Sequence, residues 1–194
     1  MKKIPLAVAM LLFTVCSACA ASAPNSPDPK VLSQLLKTKQ CQECDLRNAN
    51  LEGANLKGVD VSGANLEDAN LTHANLEGAN LEGANLTGVN LSYAILNNAD
   101  LSNIQSSSTN LSEANLSKAN LSSATLSGAN LDGAKMNNAK MIAANLESSN
   151  LSNTDLSNAD LHDAILMSTD NLTSAKLSSA NLTKAIMPDG SIHD

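Results

Sequence analysis

The chain has 194 residues, a net charge of −7, one Phe, one Tyr and no Trp, so it suffices for one ordinary domain but cannot centre a core on aromatic side chains. Leu, Ala, Asn and Ser dominate it, the mark of a short internal repeat. The acidic balance excludes a surface that neutralises nucleic-acid phosphates, which needs clustered Lys and Arg, and suits a chain kept soluble by self-repulsion.

Lys2 and Lys3 precede an apolar stretch, residues 4–15, that is too short to span a bilayer, and Ala18-Cys19-Ala20 is a small-residue cleavage site. Residues 1–20 therefore read as an export signal peptide. Cleavage after Ala20 removes two lysines and leaves the mature chain at about −9. The alternative is a lipid anchor at Cys19 after Ser17-Ala18, although Cys16 stands where such boxes carry Leu or a similar residue. No other segment could cross a bilayer. The reading is an exported protein in a compartment that permits disulfides.

Residues 21–40 read as a linker and an N-terminal capping helix. Pro24, Pro27 and Pro29 stiffen the linker. Asp28 before Pro29 is an N-cap with Pro at the first helical position. Val31, Leu32, Leu35 and Leu36 fall on one face of a short helix. So short a helix is unstable alone, and its stripe needs the repeats that follow.

From residue 46 to residue 166 a large aliphatic side chain recurs at every fifth position: Leu46, Leu51, Leu56, Val61, Leu66 and onward to Leu161 and Leu166. Two residues before each stands a small one, such as Ala49, Ala54, Val59 and Ala64, and the residue between is usually Asn or Asp. A period of five fits neither the 3.6 of a helix nor the 2 of a strand. The chain must turn once per repeat, burying Leu and Ala inside and presenting polar residues outside.

Charge fixes the coil size, because residues one coil apart in a solenoid lie about 4.8 Å from each other and like charges at that spacing repel. At an offset of 20 the sequence stacks Arg47 on Glu67, Lys57 on Glu77, Lys135 on Asp155 and Lys140 on Asp160. An offset of 15 would stack Glu52 on Glu67 and Glu67 on Glu82, and one of 25 would stack Glu43 on Asp68. Four repeats per coil and a square cross-section follow. One residue is inserted in Met167-Ser-Thr-Asp-Asn171, read as a corner bulge, after which Leu172, Leu177, Leu182 and Met187 resume the series. Offsets across it become 21 and pair Asp155 with Lys176 and Asp163 with Lys184. A second irregularity exchanges the inward pair, with Ile104 at a small site and Ser106 at a large one, which roughly conserves core volume.

The tandem pattern of Ala54-Asn-Leu-Lys-Gly58 and Ala79-Asn-Leu-Glu-Gly83 resembles the pentapeptide-repeat family over residues 41–187. That resemblance implies an all-β fold, a right-handed quadrilateral β-helix, in agreement with the coil size drawn from charge. At four repeats per coil, residues 41–190 make about seven coils, roughly 35 Å long, leaving residues 191–194 as a tail. The opening Gln40-Cys-Gln-Glu-Cys44 and the closing stretch from Met187 to His193 resemble exported cyanobacterial members.

Chemistry-bearing residues are few. Cys41 and Cys44 fall on large and small inward positions and are read as a disulfide pinning the first turn, with two buried thiols as the plainer alternative. A lone C-x-x-C completes no zinc site. His73, His162 and His193 lie outward or in the tail, without a carboxylate at a suggestive spacing, and nothing resembles a nucleophile with its base. The Asn-Leu-Ser/Thr triplets at Asn70, Asn85, Asn115 and Asn181 match glycosylation acceptors formally, but the repeat generates them automatically. No catalytic, cofactor or metal residue is assigned.

Ile95, Ile165 and Ile186 stand where Asn or Asp normally points outward, and Ile165 and Ile186 should stack across the insertion. With Met187 they form an apolar strip at an end that has no evident cap, where open β-edges invite pairing. The chain is thus read as a non-enzymatic scaffold or protein-binding module of the periplasm or thylakoid lumen, partner unknown, able to form a homodimer through its C-terminal end. The alternative, implied by the resemblance, is a DNA mimic that inhibits a nucleic-acid enzyme such as gyrase. The export signal, the lysines interspersed among the acids and the absence of Phe from the core count against it.

Overall fold

The computed structural model describes residues 27–194; the signal peptide, Cys19 and most of the linker read from the sequence lie outside them. Helix α1, Pro29–Thr38, starts where Asp28 Oδ1 accepts from Lys30 N at 2.8 Å and ends at Lys39, left-handed at φ 61°, whose N–H donates to Leu35 O. Leu35 is fully buried, and Val31 and Leu32 pack against the core. Leu36 was expected on the same face but is 39% exposed. A rotation of about 100° from Leu35 carries it off the contact.

The period of five has a local cause. Nearly every Leu carbonyl of the array accepts from the N–H three residues on, as from Ala49 N to Leu46 O at 3.1 Å, and closes a tight turn. From Leu46 to Leu166 the residue two after each rung takes a positive φ, 57° at Asn48 and 63° at Gly53, so this seat favours Gly and Asn. Between turns the N–H groups leave the coil. Leu46 N donates forward to Asn65 O (2.7 Å), Asn48 N to Glu67 O (2.9 Å), and Asn65 N back to Cys44 O (2.9 Å).

Parallel bridges join Asp45 to Asn65, Asn50 to Asn70, Asn55 to Asn75 and Asp60 to Asn80, and continue to Asn150 and Asp170, always twenty residues apart. Four turns in twenty residues make a four-sided coil, with one bridge residue per side in place of an extended strand. The sides are named here by their first rungs: the Leu46, Leu51, Leu56 and Val61 sides. Inside, the Leu and Ala rungs from Leu46 to Leu166 are buried, with Ala54 alone half-buried.

The polar residue before each Leu proves structural. Asn65 Oδ1 accepts from Glu67 N at 3.1 Å, and Asn85 Nδ2 donates to Asn65 Oδ1 at 3.1 Å one coil on. Asn110, Asn130 and Asn150 repeat the second contact at 3.2–3.3 Å along the Leu51 side. Only a short side chain with an oxygen reaches the N–H two residues on, and only an amide also continues the ladder. The sequence pattern had marked these positions simply as outward and polar.

After the insertion, Asn171 sits at φ 57°, Leu172–Ser174 form one 3-10 turn, and bridges resume twenty-one residues apart at Asp155–Lys176, Asp160–Asn181 and Ile165–Ile186. The corner takes up the extra residue and the coil goes on. Ile104 and Ser106 are both buried, and Ser106 Oγ has no hydrogen-bond partner. By contrast, Thr109 Oγ1 donates to Leu86 O at 2.6 Å.

The charges stack as read, but few of them touch. Lys57 Nζ meets Glu77 at 2.7 Å and Lys176 Nζ lies 3.9 Å from Asp155. Arg47 turns to its neighbour Asp45 (2.7 Å) rather than to Glu67. Lys135 with Asp155 and Lys140 with Asp160 are bridged in the backbone register, yet neither lysine closes an ion pair among the described residues. Exposed lysines lose little by staying in water.

Candidate functional site: the open C-terminal end

The two ends of the solenoid are built differently. At the first coil, α1 lays Leu35 onto the core, and Cys41 and Cys44 stand in disulfide geometry across the first turn, their Cα atoms 5.4 Å apart. Cys41 is buried and Cys44 half-buried, at the inward positions the sequence assigned them.

At the last coil the inward rung itself meets solvent. Leu172, Leu177, Leu182 and Met187 are only half-buried, whereas the rungs Leu156, Leu161 and Leu166 below are fully buried. The N–H groups of Leu177, Ser179 and Leu182 point along the axis where another coil would stand, without a partner among the described residues. An apolar depression of about 480 Å³ opens here, lined by Leu172, Leu177, Met187 and Pro188 with Asp189 at its rim.

One side of this end is covered, by the residues read as a tail. Met187 N donates to Ser191 O (2.7 Å), Gly190 takes φ 84°, and the chain returns antiparallel so that Ile186 bridges Ile192. His193 N donates to Ala185 O and Lys184 N to His193 O, at 2.9 and 2.7 Å. Asp189 Oδ1 accepts from both Ser191 N and Ser191 Oγ, which holds its carboxyl below the usual range. The Asp189-Gly190 pair is a turn signal in its own right and could have revealed this hairpin from sequence.

Of the interaction residues read from sequence, Ile165 and Ile186 are paired one above the other and half-buried, with Met187 beside the depression. Ile192, which the reading missed, extends the row and is 67% exposed. Ile95 lies far from this row, 41% exposed on the Leu56 side. The histidines stay apart: His73 stacks on Tyr93 with ring centroids 5.1 Å apart, and His193 Nδ1 lies 3.1 Å from Asp194 O. His162 does meet a carboxylate, with Nε2 3.1 Å from Asp163 Oδ2, a contact its outward position concealed. Among the described residues no three His, Cys, Asp or Glu side chains converge on a metal-sized site, and no helix is long and apolar enough to cross a membrane.

The family profile for pentapeptide repeats matches the chain in 8 copies, over residues 40–72, 64–103, 107–141 and 139–170. No curated protein sequence matches it. Among solved structures, it is similar to HetL, a pentapeptide repeat protein involved in heterocyst differentiation regulation in the cyanobacterium Nostoc sp. strain PCC 7120. Identity is 38%, over 79% of this chain and 78% of that one, with a TM-score of 0.43. A pentapeptide repeat protein of the Arabidopsis thaliana thylakoid lumen is 34% identical over 58% of this chain and 71% of its own, with a TM-score of 0.36. QnrB1, a plasmid-mediated fluoroquinolone resistance protein, shares the fold at a TM-score of 0.54 and 14% identity, over 76% of this chain and 73% of that one.

Proposed function

The chain belongs to the pentapeptide-repeat family, whose members form right-handed quadrilateral β-helices, and on that footing we propose that it is an exported, non-catalytic binding module of about seven coils that engages a protein partner through its open C-terminal end. One observation carries the reading: the final rung of Leu172, Leu177 and Leu182 and the adjoining N–H groups are left to solvent, while the first rung lies under α1. An apolar rung with unpaired edge donors is a template for a further layer of chain. The row Ile165–Ile186–Ile192 continues that surface around one side. A second copy of the chain is one occupant this end would accept.

The lumenal origin of one relative and the leader read from sequence support export to the thylakoid lumen or periplasm. A Cys41–Cys44 disulfide would then form on arrival. The polyanion-mimic alternative requires a cytoplasmic pool.

A photo-crosslinker at position 186, compared with one at Ser122 on the Val61 side, tests the proposal in cells expressing the tagged full-length protein. Adducts from the exported fraction at 186 and not at 122 are expected; equal labelling, or adducts confined to a cytoplasmic pool, would contradict it. Sedimentation of the mature protein tests self-association. Wild type should exceed the monomer and Ile186→Asp should return it to one, whereas monomers in both exclude the second copy as occupant.

A further inference from the structure

The array's only tyrosine is spent in an unfavourable place. Tyr93 occupies a turn seat at φ 60°, and His73, one coil earlier on the same column, sits at φ 59°. A bulky aromatic in this region is an outlier; in the same column Gly53, Gly133 and Asn153 serve the turn, and Glu113 is the one other large side chain that holds it. Nothing in the core requires Tyr93, which is 54% exposed. Its visible contact is the stack on His73, rings 5.1 Å apart and inclined by 23°.

The surroundings of this pair are asymmetric. Turn-seat side chains lean toward the following coil: Asp68 over Gly88 and Glu113 over Gly133, each within 3 Å of where a Cβ would stand. Below His73 the column holds Gly53, and no heavy atom beyond its chain neighbours lies within 4 Å of its missing Cβ. The His73 ring therefore presents an open face above an empty seat. Glu52 stands exposed beside that seat, loosely held by Asn70 Nδ2 at 3.4 Å.

Charge singles out the same side. Along the Leu51 side the outward columns carry Glu52, Glu113, Asp132 and Asp170, and no Lys or Arg. The array's cations sit elsewhere: Arg47 on the Leu46 side; Lys57, Lys118, Lys135 and Lys176 on the Leu56 side; Lys140 and Lys184 on the Val61 side. An uncompensated acidic side bearing an exposed stacked ring pair and a flat empty seat fits a planar cation. Guanidinium meets that description and ammonium does not.

We propose that the Leu51 side docks an extended, arginine-bearing segment of a partner protein, with one guanidinium stacked on His73 over Gly53 and bonded to Glu52. This surface is separate from the C-terminal end and stands or falls without it.

With one Tyr and no Trp in the chain, intrinsic fluorescence reports Tyr93 alone. The mature protein is titrated with an acetylated Gly-Arg-Gly-Arg-Gly amide and with its lysine twin of equal charge. The arginine peptide should change the Tyr93 emission and bind about five-fold more tightly than the twin. Gly53→Asn, which fills the seat with a residue that tolerates positive φ, and His73→Asn, which removes the ring but not the tyrosine, should each abolish that preference while keeping the wild-type circular dichroism. Equal binding of the two peptides, no emission change, or a preference that survives both substitutions would overturn the proposal.

Discussion

At each turn seat a left-handed residue is needed twenty-odd times over, and what fills it sets local strain. Ala143 holds φ 56° with neither the freedom of Gly nor the side-chain oxygen of Asn. Ala143→Gly should therefore raise stability by about 1 kcal/mol, read as a higher midpoint in chemical denaturation; a loss would contradict the strain argument. Ser106 Oγ is buried without a partner. Ser106→Ala removes a desolvated hydroxyl and should also stabilise, by about 1 kcal/mol. Carboxylates make the acid limit. Hydrogen bonds from Arg47, side chain first and backbone second, lower Asp45 from 3.8 to about 2. The Ser157 hydroxyl lowers Asp155 below the usual range, and at Asp60 bonds from Ser62, Gln42 and Asn80 outweigh a desolvation that acts upward. Folded values below unfolded ones mean stability that is full above the ordinary carboxylate range and lost as pH falls through the folded values. Melting temperature should be level from neutrality to about pH 5 and fall below it; a rise on acidification would contradict this.

Among the elements, the repeat was legible from sequence because it obeys one rule at each position. Leu and Ala mark the inside, and charge repulsion selects twenty residues per coil over fifteen or twenty-five; the parallel bridges run at that spacing, and at twenty-one after the insertion. Less legible were contacts set by rotamer rather than register. Arg47 bonds Asp45 on its own coil, not Glu67 on the next, and the Asn ladder depends on amide orientation that a polar pattern does not encode. The closing hairpin was missed for another reason: past Met187 the five-residue rhythm stops, and only Asp189-Gly190 signals the return that pairs Ile186 with Ile192. At the other end the Cys41–Cys44 loop is very short, so the disulfide should contribute no more than about 2 kcal/mol. Replacing both cysteines by Ser should loosen α1 and the first coil, seen as faster amide exchange there. The coils beyond should keep their protection, since neighbour contacts dominate in a solenoid.

The whole molecule is an array closed at one end and unfinished at the other. Its interior repeats Leu and Ala with few interruptions, such as Ser106 and Thr109, and the two proposed contact surfaces lie where the exterior departs from the repeat: at the open rung and on the side that carries Tyr93. The open end was only partly visible beforehand. Ile165 and Ile186 announced an apolar row, but exposure of Leu172, Leu177 and Leu182 follows from having no coil above them among the described residues, which periodicity alone does not reveal. Amide hydrogen exchange on the dilute mature protein tests this most directly. Leu116, Lys118 and Leu121 donate to Lys135, Asn137 and Lys140 at 2.7, 3.1 and 2.7 Å, while Leu177, Ser179 and Leu182 occupy the same columns at the end. The latter three should exchange orders of magnitude faster than the former in the monomer and become protected when the end is occupied. Equal protection of both sets in a protein shown to be monomeric would contradict an open, binding-competent end.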